Sequence, residues 1–209
     1  MSSALDILSG NGGTTVMPPT PSLASTGSNP TIGVLPYNAL TDPLGDVFLY
    51  GLWDRMRKEG LMDIFFHEDP GMPFAKFVRQ FVPAEGELVL MIVQRDSNDT
   101  VVDHLGFAML NGVVLTEAVH RGIAHFCFFE RFWNGRDSVA GAKAVLNHFF
   151  NVCGMDVLVG IIPKPNRPAL AFIHRLGWQT VGEIPGATVF KGQRCASVIN
   201  YLGREDWHG

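Results

Sequence analysis

The sequence predicts a mixed α/β domain, of the α+β kind, behind an extended N-terminal arm. Three observations predict it. Apolar runs of strand length alternate with stripes of helical period between residues 44 and 209. The order reads helix, helix, strand, strand, a further short strand, strand, helix, strand, helix, strand, strand. Residues 1–43 have another composition: 23 of them are Ser, Thr, Pro or Gly, and their only charges are Asp6 and Asp42.

In residues 1–43, Gly10-Asn11-Gly12-Gly13 and Pro18-Pro19-Thr20-Pro21 prevent continuous helix or strand. The segment is expected to be extended or disordered alone, and to bind protein partners or a second copy through its small apolar clusters. Asp42-Pro43 opens a helix with Leu49, Trp53 and Met56 on one stripe, ended by Gly60. A second helix is predicted over Pro73–Val82. Glu87–Arg95 and Val101–Leu110 read as an antiparallel hairpin turned by Ser97-Asn98-Asp99, and Val113–Val119 as another strand. Ile123–Trp133 is apolar on both alternating faces up to Glu130, as in a strand covered on both sides.

The period then changes. Asp137 or Ser138 is expected to cap a helix whose stripe is Val139, Ala142, Val145, Leu146, Phe149 and Phe150. Met155–Ile162 is a buried strand. Asn166 and Pro168 open a helix carrying Leu170, Ile173 and Leu176, and Gly177 closes it. Gln179–Glu183 and Ala196–Leu202 are the last strands.

At 209 residues the chain buries a core large enough to need no disulfide or metal staple. Its net charge of −4 argues against a nucleic-acid binder working through a broad basic face. The longest apolar run, Leu88 to Val93, falls far short of the ~20 residues that span a bilayer, and the N-terminus lacks a signal-peptide pattern. The expectation is a cytoplasmic protein with no nucleic acid and no membrane. Three widely spaced cysteines (Cys127, Cys153 and Cys195) read as reduced thiols. His125 and Cys127 share a strand face, but no third ligand joins them, so no metal is expected.

Ile123 to Tyr201, taken as one unit, resembles the GCN5-related N-acetyltransferase superfamily. That family joins its fourth strand to a helix through Arg/Gln-x-x-Gly-x-Gly/Ala, a loop whose backbone amides hold the pyrophosphate of CoA at the helix N-terminus. The matching stretch is Arg136-Asp137-Ser138-Val139-Ala140-Gly141, with Val139 where the family has its first Gly. Asn166 through Trp178 resembles the family's Asn-x-x-Ala-x-x-x-Tyr-x-x-x-Gly-Phe. Asn166, Ala169, Gly177 and Trp178 are in register, and Ile173 stands at the tyrosine.

The resemblance implies a largely antiparallel sheet flanked by helices. It also implies acetyl-CoA as the donor to an amine acceptor. The implied donor-binding residues are Arg136, Ser138, Val139, Ala140, Gly141 and, toward the pantetheine arm, Asn166. Lys164 and Arg167 are further phosphate candidates. Glu130, at the end of the central strand, is the candidate base, with His120 and His125 behind it. Val139 and Ile173 also admit a second expectation, a catalytically silent protein of this fold used for binding or assembly. With the arm, that pattern is similar to the degenerate acetyltransferase-like virion proteins of tailed bacteriophages, which would place the chain inside a phage particle.

Overall fold

The computed structural model describes residues 30–43, 45–133 and 135–209. One seven-stranded sheet runs through it in the order β1-β2-β3-β4-β5-β7-β6. The strands are β1 (Thr31–Tyr37), β2 (Leu88–Arg95), β3 (Val101–Leu115), β4 (His120–Phe128), β5 (Val157–Pro163), β6 (Gln179–Phe190) and β7 (Gln193–Gly203). Neighbours are antiparallel except β4 and β5, which are parallel.

The sheet divides two apolar layers because consecutive strand residues face opposite ways. Leu90 and Ile92 of β2 join a core completed by α4 (Arg136–Asn147) and α5 (Arg167–Arg175). Val89, Met91 and Val93 join the other core, under α1 (Gly45–Lys58), α2 (Met62–Phe65) and α3 (Phe74–Arg79). Phe149 and Phe150, in the π turn that prolongs α4, are fully buried in the first core; Phe77 and Phe81 are fully buried in the second.

Several boundaries differ from expectation. The segment 1–43 is not uniformly an arm: Thr31–Tyr37 is the edge strand β1, paired along its whole length with β2 of the same chain. Its alternation is the reason. Ile32 and Val34 pack on one core, and Leu35 and Tyr37 on the other. Pro36 is tolerated because an edge strand leaves one side of its backbone unpaired. The contacts of the Val34–Tyr37 cluster therefore come from its own domain. The cluster at Leu5–Leu8 lies outside the described residues.

In place of a separate strand over Val113–Val119, Val113–Leu115 continue β3 and Thr116–Val119 turn into β4. β3 passes an irregularity between Asn111 and Val114, where Gly112 takes a φ of 55°. β4 begins earlier than expected, at His120, and ends at Phe128; Glu130–Phe132 is a 3-10 turn. Among the described residues, no helix is long and apolar enough to cross a membrane.

Candidate functional site

β4 and β5 pair only where Arg121, Gly122 and Ile123 lie beside Val157, Leu158 and Val159. Beyond that point the strands part. β4 runs on toward α4, while β5 turns away through Pro163 and Pro165, neither of which has an N–H to donate. A cleft of about 470 Å³ opens between them. The two parallel strands thus leave an unpaired edge inside the protein, where extended backbone can add as a further strand.

On the β4 side, pairing with β3 turns the carbonyl of Cys127 toward Gly106, and the amide of Phe129 donates to the carbonyl of Leu105 at 2.9 Å. Alternation then turns the backbone groups of Ala124, Phe126 and Phe128 toward the cleft. One is already engaged: the indole N–H of Trp133 donates to the carbonyl oxygen of Phe128 at 2.8 Å. On the β5 side, Gly160 admits the ring of Trp178, since a Cβ there would lie 3.1 Å from Trp178 Cζ3. Trp178 lines the cleft and is 4% exposed, and its Nε1 is a buried donor without a hydrogen-bond partner.

The far end of the cleft is the start of α4. Its N-cap is Gly135, in extended backbone, and no side chain caps it; Ser138, expected as a cap, donates its hydroxyl to the Gly135 carbonyl at 2.9 Å. This start decides which backbone amides the helix itself uses. The amides of Val139, Ala140 and Gly141 fall where they serve the helix's own i to i−4 bonds; of the four a helix leaves over, that of Gly135 already donates to the Phe132 carbonyl at 3.2 Å, which leaves those of Arg136, Asp137 and Ser138. Gly141 is a packing glycine, for a Cβ there would meet Ile92 Cγ2 at 2.8 Å and Phe128 Cε1 at 3.0 Å. Arg136 is exposed at the first helical position, and Ser138 is 2% exposed and lines the cleft.

Asn166 lines the cleft from the other side and caps α5, its Oδ1 accepting from the amide of Ala169 at 3.4 Å. Ile173, buried and apolar, faces the same cavity. Lys164 is turned to Glu183 at 2.7 Å. Arg167 is exposed.

Glu130 does not reach this cleft. The strand ends two residues before it, so its side chain is exposed and lines an adjoining hollow of about 520 Å³ with Glu59, Asp63 and Lys191. Its amide donates to Glu59 Oε2 at 2.8 Å. Its neighbour Arg131 pairs with Asp103. The two hollows share Ile64, Trp133 and Lys191.

His120 sits at the closed end of β4 against the carbonyl of Gly154, whereas His125 lines the cleft. Burial depresses the pKa of His125, and the nearby His67 adds to this, so the ring is neutral at pH 7. Cys127, on the same strand face, is buried, and burial raises its thiol pKa far above the usual value.

His67 was not foreseen as a site residue. It follows α2, and its Nδ1 lies 3.2 Å from the carbonyl of Ile64 and its Nε2 3.1 Å from Thr188 Oγ1 on β6. Thr188 in turn donates to Glu68 at 3.2 Å. These contacts tie the α2 segment to β6 across the mouth of the cleft. Among the described residues, no cluster of three or more His, Cys, Asp or Glu could hold a metal ion.

No family model matches the sequence, and no curated protein matches it. Solved structures do match the fold. Spermidine N-acetyltransferase from Vibrio cholerae, in complex with CoA and spermine, superposes with a TM-score of 0.64 at 11% identity, over 84% of this chain and 97% of that one. The ribosomal-protein-S5-alanine acetyltransferase of Vibrio fischeri gives 0.63 at 11% identity, over 88% of this chain and 98% of that one. A chimera of the Vibrio cholerae spermidine N-acetyltransferase and hSSAT gives 0.65 at 9% identity, over 84% of this chain and 96% of that one. With the parted β4 and β5 and the helix that begins at the end of their cleft, these likenesses show that the chain has the fold of the GCN5-related N-acetyltransferases.

Proposed function

We propose that the protein transfers an acetyl group from acetyl-CoA to an amine. The observation that carries this reading is the cleft between β4 and β5, which runs from an unpaired strand edge to the uncapped first turn of α4. Those two features suit the two ends of one donor. The amides of Arg136 to Ser138, the helix dipole and the Arg136 side chain would hold the pyrophosphate. The backbone of Ala124, Phe126 and Phe128, with Asn166, would pair with the pantetheine arm. Acetyl-CoA supplies an activated thioester; the chain's part is to bind, orient and desolvate it.

The acceptor would approach past the adjoining hollow, where Asp63 and Glu130 outnumber Lys191 and Glu59 is paired with Arg55 at 2.7 Å, a slight acidic excess that favours a cation over an anion. A cationic amine is therefore the acceptor class proposed. The spermidine enzyme named above is likewise an amine acetyltransferase in name. None of the structures named here is called a virion part.

Titration calorimetry with CoA and acetyl-CoA, followed by thiol release in the presence of candidate amines, tests this. Micromolar donor binding and amine-dependent thiol release are expected. Replacing Arg136 with Ala should weaken the donor by ~1–3 kcal/mol, the usual loss of a charge-assisted hydrogen bond. No binding at millimolar CoA would overturn the reading and leave the silent binding or assembly protein.

A further inference from the structure

An amine acceptor is protonated at neutral pH, with a pKa near that of lysine, ~10. It must lose a proton to attack a thioester, so a transferase needs an acceptor for that proton at the cleft. Most groups on the wall are unfit for it. Arg175 and Lys191 are cations. The Cys127 thiol is buried and held protonated. His67 has both ring nitrogens occupied in the tie to Ile64 and Thr188. Glu130 faces the neighbouring hollow, and Ile173 has no proton to exchange.

His125 is left. It stands near the middle of β4, opposite Met109 of β3, with its ring 6.2 Å from that of Phe65 and edge-on to it. It lines the cleft beyond the last β4–β5 pair, and is only partly covered. We infer that His125 takes the proton of the acceptor amine, an inference that rests on the acetyl-transfer reading above.

The step balances without any further reagent. The amine lone pair forms the new C–N bond at the thioester carbon. The C–S bond breaks with its electron pair on sulfur. The acceptor nitrogen sheds two protons: the first, lost before attack, goes to the free imidazole nitrogen and then to solvent, and the second, lost as the amide forms, leaves to solvent while the thiolate takes a proton from water. The ring's surroundings suit a base that starts neutral. The ring lies near His67, from the segment after α2, and beside Phe65, opposite Met109, and it shares the cleft wall with the neutral Cys127 of its own strand and with Lys191 from the β6–β7 turn. None is an anion that would hold the ring as imidazolium, and burial places its pKa below the ordinary 6.5.

Replacing His125 with Gln keeps a polar side chain of similar reach but removes the proton acceptor. Four measurements on the full chain decide the matter: melting temperature, CoA affinity by calorimetry, the pH profile of kcat/KM, and imidazole nitrogen NMR of the free protein. Expected are an unchanged fold, a donor Kd within about twofold of wild type, and kcat/KM at pH 7 lower by ~10² or more. The wild-type profile should rise through a pKa below 6.5 that NMR assigns to His125, and the variant should lack that limb. A variant that keeps both rate and limb overturns the inference and leaves acetyl transfer standing. A wild-type protein that neither binds CoA nor releases thiol overturns both. If the Gln variant fails to fold, His125→Asn and the wild-type comparison decide: a kinetic pKa that differs from the NMR pKa of His125 also overturns it.

Discussion

Trp133 closes one end of the cleft against Phe128, its indole N–H donating to the Phe128 carbonyl at 2.8 Å while the ring is 38% exposed. That carbonyl belongs to the edge of β4 left open by β5, where an extended ligand would pair. A ligand that uses it must displace the indole, which costs one hydrogen bond. Trp133→Phe removes this competition and keeps an aromatic wall. CoA should then bind up to ~5-fold tighter, the equivalent of a net hydrogen bond of about 1 kcal/mol. Calorimetry on the variant reads it directly, and a weaker Kd would mean that Trp133 itself holds the donor.

Two glycines under the cleft should respond differently to alanine. At Gly106 a Cβ would come within 1.9 Å of the Cys127 carbonyl oxygen, a backbone atom of the paired strand. β3 and β4 cannot both keep their register around it. Gly106→Ala should cost ~3 kcal/mol or more, the upper end for overpacking. At Gly141 the neighbours are the Ile92 methyl and the Phe128 ring, which can shift. There the ~1 kcal/mol gained in helix propensity offsets part of the strain, and Gly141→Ala should cost under ~2 kcal/mol. Urea melts of the two variants should keep that order.

Acid should destabilise the fold through three half-buried histidines. Burial lowers the pKa of His104, His125 and His148; for His104 the nearby Asp103 opposes the effect and Arg55 adds to it. A lowered folded pKa means that the unfolded chain binds the proton first. Stability is therefore complete above the ordinary value of 6.5 and falls as the pH drops from there through each folded pKa. The melting temperature should decline between pH 7 and 5. His148→Gln, at the least enclosed of the three, should flatten part of that slope, and an unchanged slope would count against the assignment.

Most of the fold from His120 to Gly203 was legible because each element there carries its own period. The stripe Val139 to Phe150, the apolar run of β5 and the Asn166–Gly177 frame are local signals. β1 was hidden because Thr31, Gly33 and Pro36 read as linker, while its pairing to β2 depends on residues more than fifty positions away. The start of α4 was read two residues late because Asp137 and Ser138 are the common capping types, whereas the cap is Gly135, which has no side chain to announce it. His67 could not be found from sequence: its partner Thr188 is 121 residues away, and nothing local announces the contact. Glu130 was misplaced by a strand end that came two residues earlier than the apolar run suggested.

The donor side lacks an acid, and Ile173 is where the resemblance places it. The side chain is 6% exposed, lines the cleft, and also belongs to the core under α5. With no proton donor there, sulfur must leave as the thiolate, and thiolate departure rather than amine attack would limit the rate. Ile173→Tyr adds a hydroxyl that can donate to the departing sulfur, and the cleft of about 470 Å³ has room for the larger ring. General acid catalysis is typically worth ~10²–10⁴ in rate, so even a poorly aligned hydroxyl should raise kcat by ~10-fold. Removing Ile from the core costs ~1–3 kcal/mol of stability, which a thermal melt would register as a lower melting temperature. The gain should appear in kcat more than in the donor Kd, and it should vanish in Ile173→Phe, which has the ring without the hydroxyl. Equal rates for the Tyr and Phe variants would show that sulfur departure is not the slow step.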